Sequence, residues 1–230
     1  MPASSLPVAT TSPVKLGEQH RPLSAIISDT LRERILSGEF PTGHRLVEGH
    51  LSEEMGVSRI PIREALRLLA AEGLLTIEPR RGASVALLSD QMAHDMVEVR
   101  ATLEGLNAKL AAQRRDDKTV ARLQDVLDQG KTAVNDGHTE RFVELNAQFH
   151  ELLATIANNG VLTELMRSLR ERTGLLFAPS NMQRARQNWE EHAQILQAVI
   201  AGNGELASLL AMQHVHNAAQ AYAASRPPAP

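Results

Sequence analysis

The segment from Gly56 to Leu69, with the sequence GVSRIPIREALRLL, constrains the fold of this chain more than any other. Glycine adopts a positive φ without steric cost, so Gly56 suits the end of a preceding helix. Ser58 is a good N-cap, because its hydroxyl can accept a hydrogen bond from the first turn. Pro61 falls inside that turn, where a missing N–H costs little. The segment therefore predicts a turn followed by a helix that begins near Arg59.

The predicted helix carries an apolar row and a basic row side by side. The apolar row should face a core, since it recurs at helical spacing: Ile62, Ala65, Leu66 and Leu69. The basic row has a residue every fourth position: Arg59, Arg63 and Arg67. A guanidinium can bind a phosphate or read a guanine edge with two hydrogen bonds. Such rows also occur on solvated helix faces, so the row alone leaves DNA binding as one of two interpretations.

The flanking chain favours DNA binding. The patterns predict helices over residues 24–37 and 48–55, and strands over residues 75–78 and 83–86. The strands are joined by a turn, Pro79-Arg80-Arg81-Gly82, and a solvated charged turn is its simplest interpretation in isolation. Three helices followed by a basic hairpin indicate a winged helix-turn-helix. Its wing would bring Arg81 and the Gly82 backbone to the minor groove or the phosphates.

Composition narrows the class of protein. The 230 residues include no cysteine, which excludes disulfides, thiolate zinc sites and thiol catalysis. No apolar run approaches the roughly 18 residues of a membrane span, and no signal segment opens the chain, so a cytoplasmic location without membrane contact is expected. The net charge of −3 does not exclude DNA, because binding depends on local charge placement.

The remaining chain predicts a mainly α protein with two domains. Residues 1–21 read as a disordered tail, 22–88 as the winged helix, 89–224 as an all-α antiparallel six-helix bundle, and 225–230 as a second tail. The predicted bundle helices cover about 89–115, 118–135, 139–158, 161–177, 182–201 and 205–223, with breaks at Gly137, Asn159-Gly160, Pro179 and Gly202-Asn203-Gly204. On the first of them, six apolar residues line one face, the face that an amphipathic bundle helix turns inward: Met92, Met96, Val99, Leu103, Leu106 and Leu110.

Three histidines of the bundle have apolar neighbours at helical spacing. Asn146 and His150 share one helix face, which Val143, Ala147 and Leu153 suggest points inward, while His192 and His214 lie on the last two helices. Imidazoles with an oxygen ligand suit a divalent ion, zinc or nickel above all. Spacing alone favours separate, hydrogen-bonded or surface histidines, because the chain holds nine.

The N-terminal motifs resemble the winged-helix domain of the GntR family of bacterial transcription regulators. The resemblance covers about residues 24–86 and rests on Pro41-x-Gly43-x-Arg45-Leu46, Leu51-Ser52-Glu53, Gly56-Val57-Ser58-Arg59-x-Pro61-x-Arg63-Glu64-Ala65-Leu66 and Glu72-Gly73-Leu74. It implies operator contacts from Ser58, Arg59 and Arg63 and from the wing at Arg81 and Gly82. Arg45 and Ile60 complete the predicted DNA-binding set. Many members carry a basic residue where this chain has Gly49, so one phosphate contact is expected to be missing.

The C-terminal motifs resemble the FCD domain of the fatty-acid-regulator branch of that family. They are Glu98-x-Arg100-x-x-x-Glu104, Asn146-x-x-Phe149-His150, Glu191-His192 and either Ala211-x-x-His214 or Met212-x-x-x-His216, of which the family spacing favours His214. The resemblance implies a metal site at Asn146, His150, His192 and His214, and an effector carboxylate at Arg100, for which an ion pair with Glu104 is the alternative. Asn146 stands where an aspartate is usual, which implies weaker metal binding. Six helices resemble the vanillate-regulator type.

The resulting hypothesis is a ligand-responsive DNA-binding regulator, a repressor more often than an activator, and not an enzyme. It would be a homodimer that reads a palindromic operator in double-stranded DNA and senses a small organic acid beside the metal. Two alternatives stay open at this point: a metal-free regulator that senses acyl-CoA, and a metal-dependent hydrolase that uses the bundle histidines.

Overall fold

The structure, a computed structural model, describes residues 21–138, 141–181 and 184–225. Nearly all of both predicted tails, residues 1–20 and 226–230, lie outside the described residues. So do the predicted starts of two bundle helices, Thr139 and Met182. The predicted domain boundaries stay predictions.

The first part of the chain is a winged helix-turn-helix, as predicted. Its helices are α1 (Leu23–Leu36), α2 (Glu48–Glu54) and α3 (Arg59–Ala71). The predicted apolar row of α3 is buried against Leu31 of α1 and Leu51 of α2, in one hydrophobic core. Ser58 occupies the N-cap position as predicted, but its side chain makes no capping hydrogen bond. The position of the helix start was therefore correct, although the expected hydroxyl contact is absent.

A three-stranded antiparallel sheet closes this domain, with the order β1-β3-β2. The strands are β1 (Arg45–Leu46), β2 (Leu75–Glu78) and β3 (Gly82–Val85). The hairpin was predicted, whereas β1 was not, because two residues are too few for a strand pattern to show. β1 pairs Arg45 with Ser84, so it places Arg45 at the base of the wing.

Six helices follow within the described residues and form the predicted bundle. They are α4 (Asp90–Arg114), α5 (Asp117–Asp136), α6 (Arg141–Ala157), α7 (Gly160–Asn181), α8 (Ala185–Ile200) and α9 (Gly204–Ser225). Ser89 caps α4, since its side chain accepts a hydrogen bond from the Met92 N–H. The predicted break at Pro179 is wrong. A helical proline removes one backbone hydrogen bond, and α7 continues past it to Asn181. None of the described helices has the length and hydropathy to cross a membrane.

The predicted core face of α4 is also wrong. Met96 is buried, but Met92, Val99 and Leu106 are between 41% and 51% exposed. The buried face instead carries small and polar residues: Arg100, Ala101, Glu104, Gly105, Asn107, Ala108, Ala111 and Ala112. Small side chains let α9 approach closely. A Cβ atom at Gly105 would lie 2.8 Å from Met212 Cγ and 2.9 Å from Ser208 Oγ. Close packing on this small-residue face therefore directs the larger apolar stripe outward.

Gly130 of α5 provides a test of the packing between α5 and α8. A Cβ atom there would lie 1.7 Å from Cζ2 of Trp189, a ring that is 3% exposed and has no room to move. We expect Gly130→Ala to lower the free energy of unfolding by about 1–3 kcal/mol in urea denaturation, because overpacking outweighs the gain in helix propensity. Gly160→Ala is the matched control, since no atom lies within 4 Å of its Cβ position. Equal stability of the two variants would contradict the packing described.

Candidate functional site: a DNA-facing groove and a buried polar cluster

The outer face of α3 presents the predicted DNA-binding side chains to solvent. Arg59, Arg63 and Arg67 are all exposed, and Ser58 is exposed at the helix start. The side chain of Ile60 is 68% exposed. An exposed isoleucine among arginines suits contact with a thymine methyl group.

An open groove of about 310 Å³ lies between α3, β1 and the wing. Four arginines line it, and they come from three separate parts of the chain: Arg45, Arg63, Arg67 and Arg81. Gly82 lines the groove as well, with a φ of 84°, a left-handed conformation that favours glycine. The fold therefore gathers on one surface cations that are up to 36 positions apart in the sequence.

Glu48 is a member of this surface that the sequence analysis missed. Its carboxylate accepts two hydrogen bonds from Arg63, 2.9 Å from Nε and 2.7 Å from Nη2. These bonds, together with the charges of Arg63, Arg59 and Arg67, lower the pKa of Glu48 although burial opposes them. Glu48 thus stays ionised and holds the Arg63 guanidinium in one orientation. The sequence signal was weak, since the two residues lie fifteen positions apart on different helices.

Gly49 departs from the family pattern, and the structure shows what lies there instead. Nη2 of Arg59 lies 3.5 Å from the position that a Cβ atom of Gly49 would take. A longer side chain at position 49 would therefore compete with the Arg59 guanidinium for this space.

The second cluster of polar side chains is buried in the bundle and centres on Glu104 of α4. Arg170 of α7 donates two hydrogen bonds to the Glu104 carboxylate, each 2.7 Å long. Arg100 lies one helical turn before Glu104, with 3.6 Å between Nε and Oε1, and donates from Nη1 to Thr173 Oγ1 at 2.6 Å. Both parts of the sequence interpretation of Arg100 remain possible, because it contacts Glu104 while its Nε has no hydrogen-bond partner.

The buried cluster carries more positive than negative charge. Arg100 and Arg170 share the single carboxylate of Glu104, and Arg100 and Glu104 are each less than 10% exposed. Burial would raise the pKa of Glu104, but the hydrogen bonds and charge of Arg170 and the charge of Arg100 outweigh it and lower the pKa. Burial lowers the pKa of Arg100. An uncompensated buried cation is costly, so the cluster favours an additional anion.

Two of the predicted metal ligands meet directly beside this cluster. Nε2 of His192 lies 3.1 Å from Nε2 of His214, and both side chains are buried. Two imidazoles on one tetrahedral ion, with bonds of about 2.0–2.1 Å, hold their nitrogens about 3.3 Å apart. The observed separation is close to that value, and it is also that of a direct hydrogen bond between the two rings.

A carboxylate orients the second histidine. Oε2 of Glu191 lies 2.6 Å from Nδ1 of His214, and Arg184 and Asn217 donate to the other oxygen of Glu191. Nδ1 of His214 therefore donates its proton to Glu191, which leaves the Nε2 lone pair facing His192. A histidine backed by a carboxylate in this way is the usual arrangement around a metal. The sequence analysis quoted Glu191 only as the neighbour of His192 and missed this role.

His150 and Asn146 fit the predicted site less well. The His150 ring lies 5.5 Å from that of His192 between centroids, and its buried Nδ1 has no hydrogen-bond partner. Asn146 and Ala147 are exposed, so the expectation that their face points inward is wrong for these two residues. The site residues stay predictions, of which the structure brings His192 and His214 together and places His150 nearby.

A different group of ligand atoms lies closer together at the start of α4. Among the described residues, ligand atoms of His94, Asp95 and Glu98 all lie within 4.8 Å of one another, which the bundle histidines do not achieve. All three side chains are exposed and carry no other sign of a ligand.

Comparison with known proteins divides the chain into the same two domains, the winged helix and the helical bundle. Residues 23–85 match the family model for bacterial regulatory proteins of the gntR family, and residues 95–217 match the model for the FCD domain. The HTH-type transcriptional regulator YdhC of Bacillus subtilis is 30% identical over 190 residues, which cover 81% of this chain and 85% of the relative. The gluconate operon transcriptional repressor of Bacillus licheniformis is 29% identical over 166 residues, 72% of this chain and 68% of the relative.

A solved structure agrees with the fold. McbR/YncC of Escherichia coli aligns with a TM-score of 0.75 and 23% identity, over 90% of this chain and all of that one. At this identity the likeness concerns the fold alone. The relatives above are named as transcriptional regulators, which agrees with the prediction that this chain is not an enzyme.

The buried histidines predict a pH-dependent stability. Burial is the largest cause that lowers the pKa of His192 and of His150 well below the ordinary value of about 6.5. Below about pH 6.5 the unfolded chain therefore binds protons that the folded, metal-free chain does not, and stability falls as pH falls. We expect a slope of up to about 1.4 kcal/mol per pH unit for each histidine in urea denaturation between about pH 5.5 and 6.5.

Two substitutions test whether the buried histidines cause this dependence of stability on pH. His192→Gln should reduce it, whereas His216→Gln, which removes an exposed imidazole, should leave it as in the wild type. A wild-type stability that does not change across this pH range would contradict the buried, neutral state of these histidines.

Proposed function

Because the chain belongs to the GntR family of bacterial transcriptional regulators and carries an FCD domain, we propose that it is a repressor that senses a small carboxylate beside a divalent metal ion. The observation that carries the sensing part is the buried cluster itself. It combines an excess of positive charge at Arg100 and Arg170 with the carboxylate-backed pair of His192 and His214.

The proposed DNA contacts start from the groove between α3 and the wing. α3 would enter the major groove, with Arg59 and Arg63 at base edges or phosphates, Ser58 at a phosphate and Ile60 against a thymine methyl group. Arg45 and Arg81 would contact phosphates beside α3, since both line the groove. The Glu48 carboxylate orients Arg63 in advance and so reduces the entropy lost on binding.

The proposed dimer forms through the outward face of α4. Met92, Val99 and Leu106 are spaced seven residues apart and exposed, the pattern of a seam that packs against a second helix. A two-fold axis there would present two copies of α3 to a palindromic operator.

The proposed effector is a small organic acid. Its carboxylate would accept hydrogen bonds from Arg100, whose Nε has no other hydrogen-bond partner, and would balance the excess charge of the cluster. His192 is 1% exposed and Arg100 8%, so the helices must separate for a ligand to enter.

The proposed metal ligands are His192 and His214 through Nε2, with His150 as the third. The pair of histidines suits a metal ion, because the His192–His214 separation is appropriate, whereas the His150 ring would have to move closer for its unpartnered Nδ1 to complete the site. Zinc or nickel suits imidazole nitrogen, and a bound ion supplies an open coordination position for an effector oxygen. Asn146 would need to turn inward to contribute its amide oxygen.

The DNA part is tested by removing the outer arginines of α3. Arg59→Ala and Arg63→Ala should each weaken binding to an operator selected from random duplexes by about tenfold, because each loses a two-bond contact to a base or phosphate. The dependence of the affinity on salt should also fall by about one unit of slope for each lost phosphate contact. Fluorescence anisotropy at several salt concentrations measures both quantities.

Arg186→Ala is the control for these variants. It removes an exposed arginine from α8, outside the winged helix, and should change neither quantity. If Arg59→Ala and Arg63→Ala bind like Arg186→Ala, the proposed DNA surface is wrong. Two chains bound per operator duplex would support the dimer, and one chain would contradict it.

The metal part is tested by measuring bound metal after incubation with zinc and extensive dialysis. The wild type should retain about one ion per chain, and His192→Ala or His214→Ala should retain far less, because each removes a nitrogen ligand. His216→Ala removes an exposed histidine from the same helix as His214 and should retain the wild-type amount. Equal content in all four proteins excludes this site, and a wild type that retains no metal favours the metal-free alternative.

A further inference from the structure

We infer that α7 is the mechanical link between the buried cluster of the bundle and the DNA-binding domain, with Glu171 and Arg32 as the contact that responds. The inference rests on the proposed sensing function of the cluster. It assigns to α7 the regulation of that site, and it follows from the side chains that α7 presents to two different partners.

Toward the bundle, α7 contributes two of the side chains that hold the cluster together. Arg170 makes both hydrogen bonds to Glu104, and Thr173 accepts the hydrogen bond from Arg100. Thr173 in turn donates to the Leu169 carbonyl of its own helix, so it has no freedom to follow Arg100 independently. Any rearrangement of Arg100 or Glu104 therefore acts directly on α7.

Toward the winged helix, α7 reaches into the hydrophobic core of that domain. Leu175 is 7% exposed and belongs to the same core as Leu31 and Leu69. Leu36 of α1 lies against Gly174, with 3.2 Å between its Cδ2 and the position of a Cβ atom there. The bundle thus contributes a side chain to the core that positions α1 and α3.

The same helix also contacts the end of the recognition helix. The Arg172 side chain packs against Gly73, which follows α3 with a φ of 80°, and its Nε lies 2.9 Å from the Cβ position. A movement of α7 would therefore displace residues at the C-terminal end of α3, as well as α1.

Glu171 and Arg32 form a contact that is close to a hydrogen bond without being one. Nε of Arg32 lies 3.7 Å from Oε2 of Glu171, and neither buried atom has a hydrogen-bond partner. The other nitrogens of Arg32 are held by Asp29 and by Glu72, the residue after α3. A charge-assisted hydrogen bond needs a distance of about 2.7–2.9 Å, so a shift of α7 by about 1 Å would make it.

The buried cluster acts on the winged helix through α7 in three steps. An anion beside Arg100 competes with Glu104 for the guanidinium groups of Arg100 and Arg170. The hydrogen bonds that Arg170 and Thr173 of α7 make to α4 change as a result. Glu171 follows Arg170 directly on a rigid helix, so it moves with it. The hydrogen bond between Glu171 and Arg32 then forms or breaks. The arrangement of the winged helix that has this bond is stabilised relative to the one without it.

The test perturbs the cluster and measures amide hydrogen exchange in the winged helix. Thr173→Val removes the acceptor of Arg100 with little change of shape, and Glu104→Gln removes the charge that holds Arg170. In either variant, exchange in residues 29–36 and 69–74 should change by between about 2-fold and 30-fold, the usual range of such couplings. The same substitution in a Glu171→Gln background should produce a clearly smaller change.

Glu164→Gln is the matched control, since it neutralises an exposed glutamate of the same helix. It should change exchange in neither segment and should not reduce the effect of Thr173→Val. Unchanged exchange in both segments in the Thr173→Val protein would overturn the coupling. If Glu104→Gln does not fold, as circular dichroism would show, Thr173→Val alone decides.

Zinc alone is the second perturbation, and it separates this inference from the proposed function. Zinc that binds and alters exchange in residues 29–36 of the wild type, but much less in Glu171→Gln, supports both. Zinc that binds without altering exchange there excludes the metal as a trigger of the coupling, and the response to Thr173→Val then supports or overturns the link through α7. If no zinc binds, the proposed metal site fails, and the response to Thr173→Val still supports or overturns the link through α7.

Discussion

The bidentate ion pair between Arg170 and Glu104 is the interaction on which the arrangement of the helical domain depends. It joins α4 to α7 in the interior of the bundle, where loss of Glu104 would leave Arg100 and Arg170 without the carboxylate that they share. Arg100 and Thr173 extend it into a network that ties two neighbouring turns of α4 to α7. Because two guanidinium groups meet one carboxylate, the network holds the helices in place while it still favours an added anion. The contacts between α4 and α7 and the excess positive charge of the cluster therefore involve the same side chains.

A second constraint is the close approach of α4 and α9. Gly105 and its alanine neighbours let the two helices pack at a distance that larger residues would not permit. This packing brings His214 of α9 to His192 of α8 and turns Met92, Val99 and Leu106 outward. The small residues of α4 thus leave its larger apolar side chains exposed. The chain has few aromatic residues, so its core is filled by helices that pack closely rather than by large side chains.

The DNA-facing surface follows a different principle, in which local charge matters more than the total. The chain has a net charge of −3, yet four arginines line one groove between α3 and the wing. Glu48 adds a negative charge to this surface, and its two hydrogen bonds to Arg63 restrict a long side chain that would otherwise sample many rotamers. Arg59 lies over Gly49, where a side chain would take up its space. Glu48 and Gly49, neither of which is positively charged, thus determine how Arg63 and Arg59 are placed on this surface.

The winged helix, the six bundle helices and the burial of the α3 apolar row could be predicted from the amino-acid sequence, because they follow from local caps, turns and periodicity. The resemblance of their motifs to a known family also made His192, His214 and Arg100 candidate site residues. The packing of the helices was needed to show that α4 turns its smaller face inward, that Asn146 faces solvent, that Glu48 holds Arg63 and that Glu191 orients His214. It alone placed Arg170, Glu171 and Leu175 of one helix between the two domains. These outcomes depend on which helices approach one another and how closely, and that distance is set by residues far apart in the chain, whereas periodicity reports only on one helix at a time.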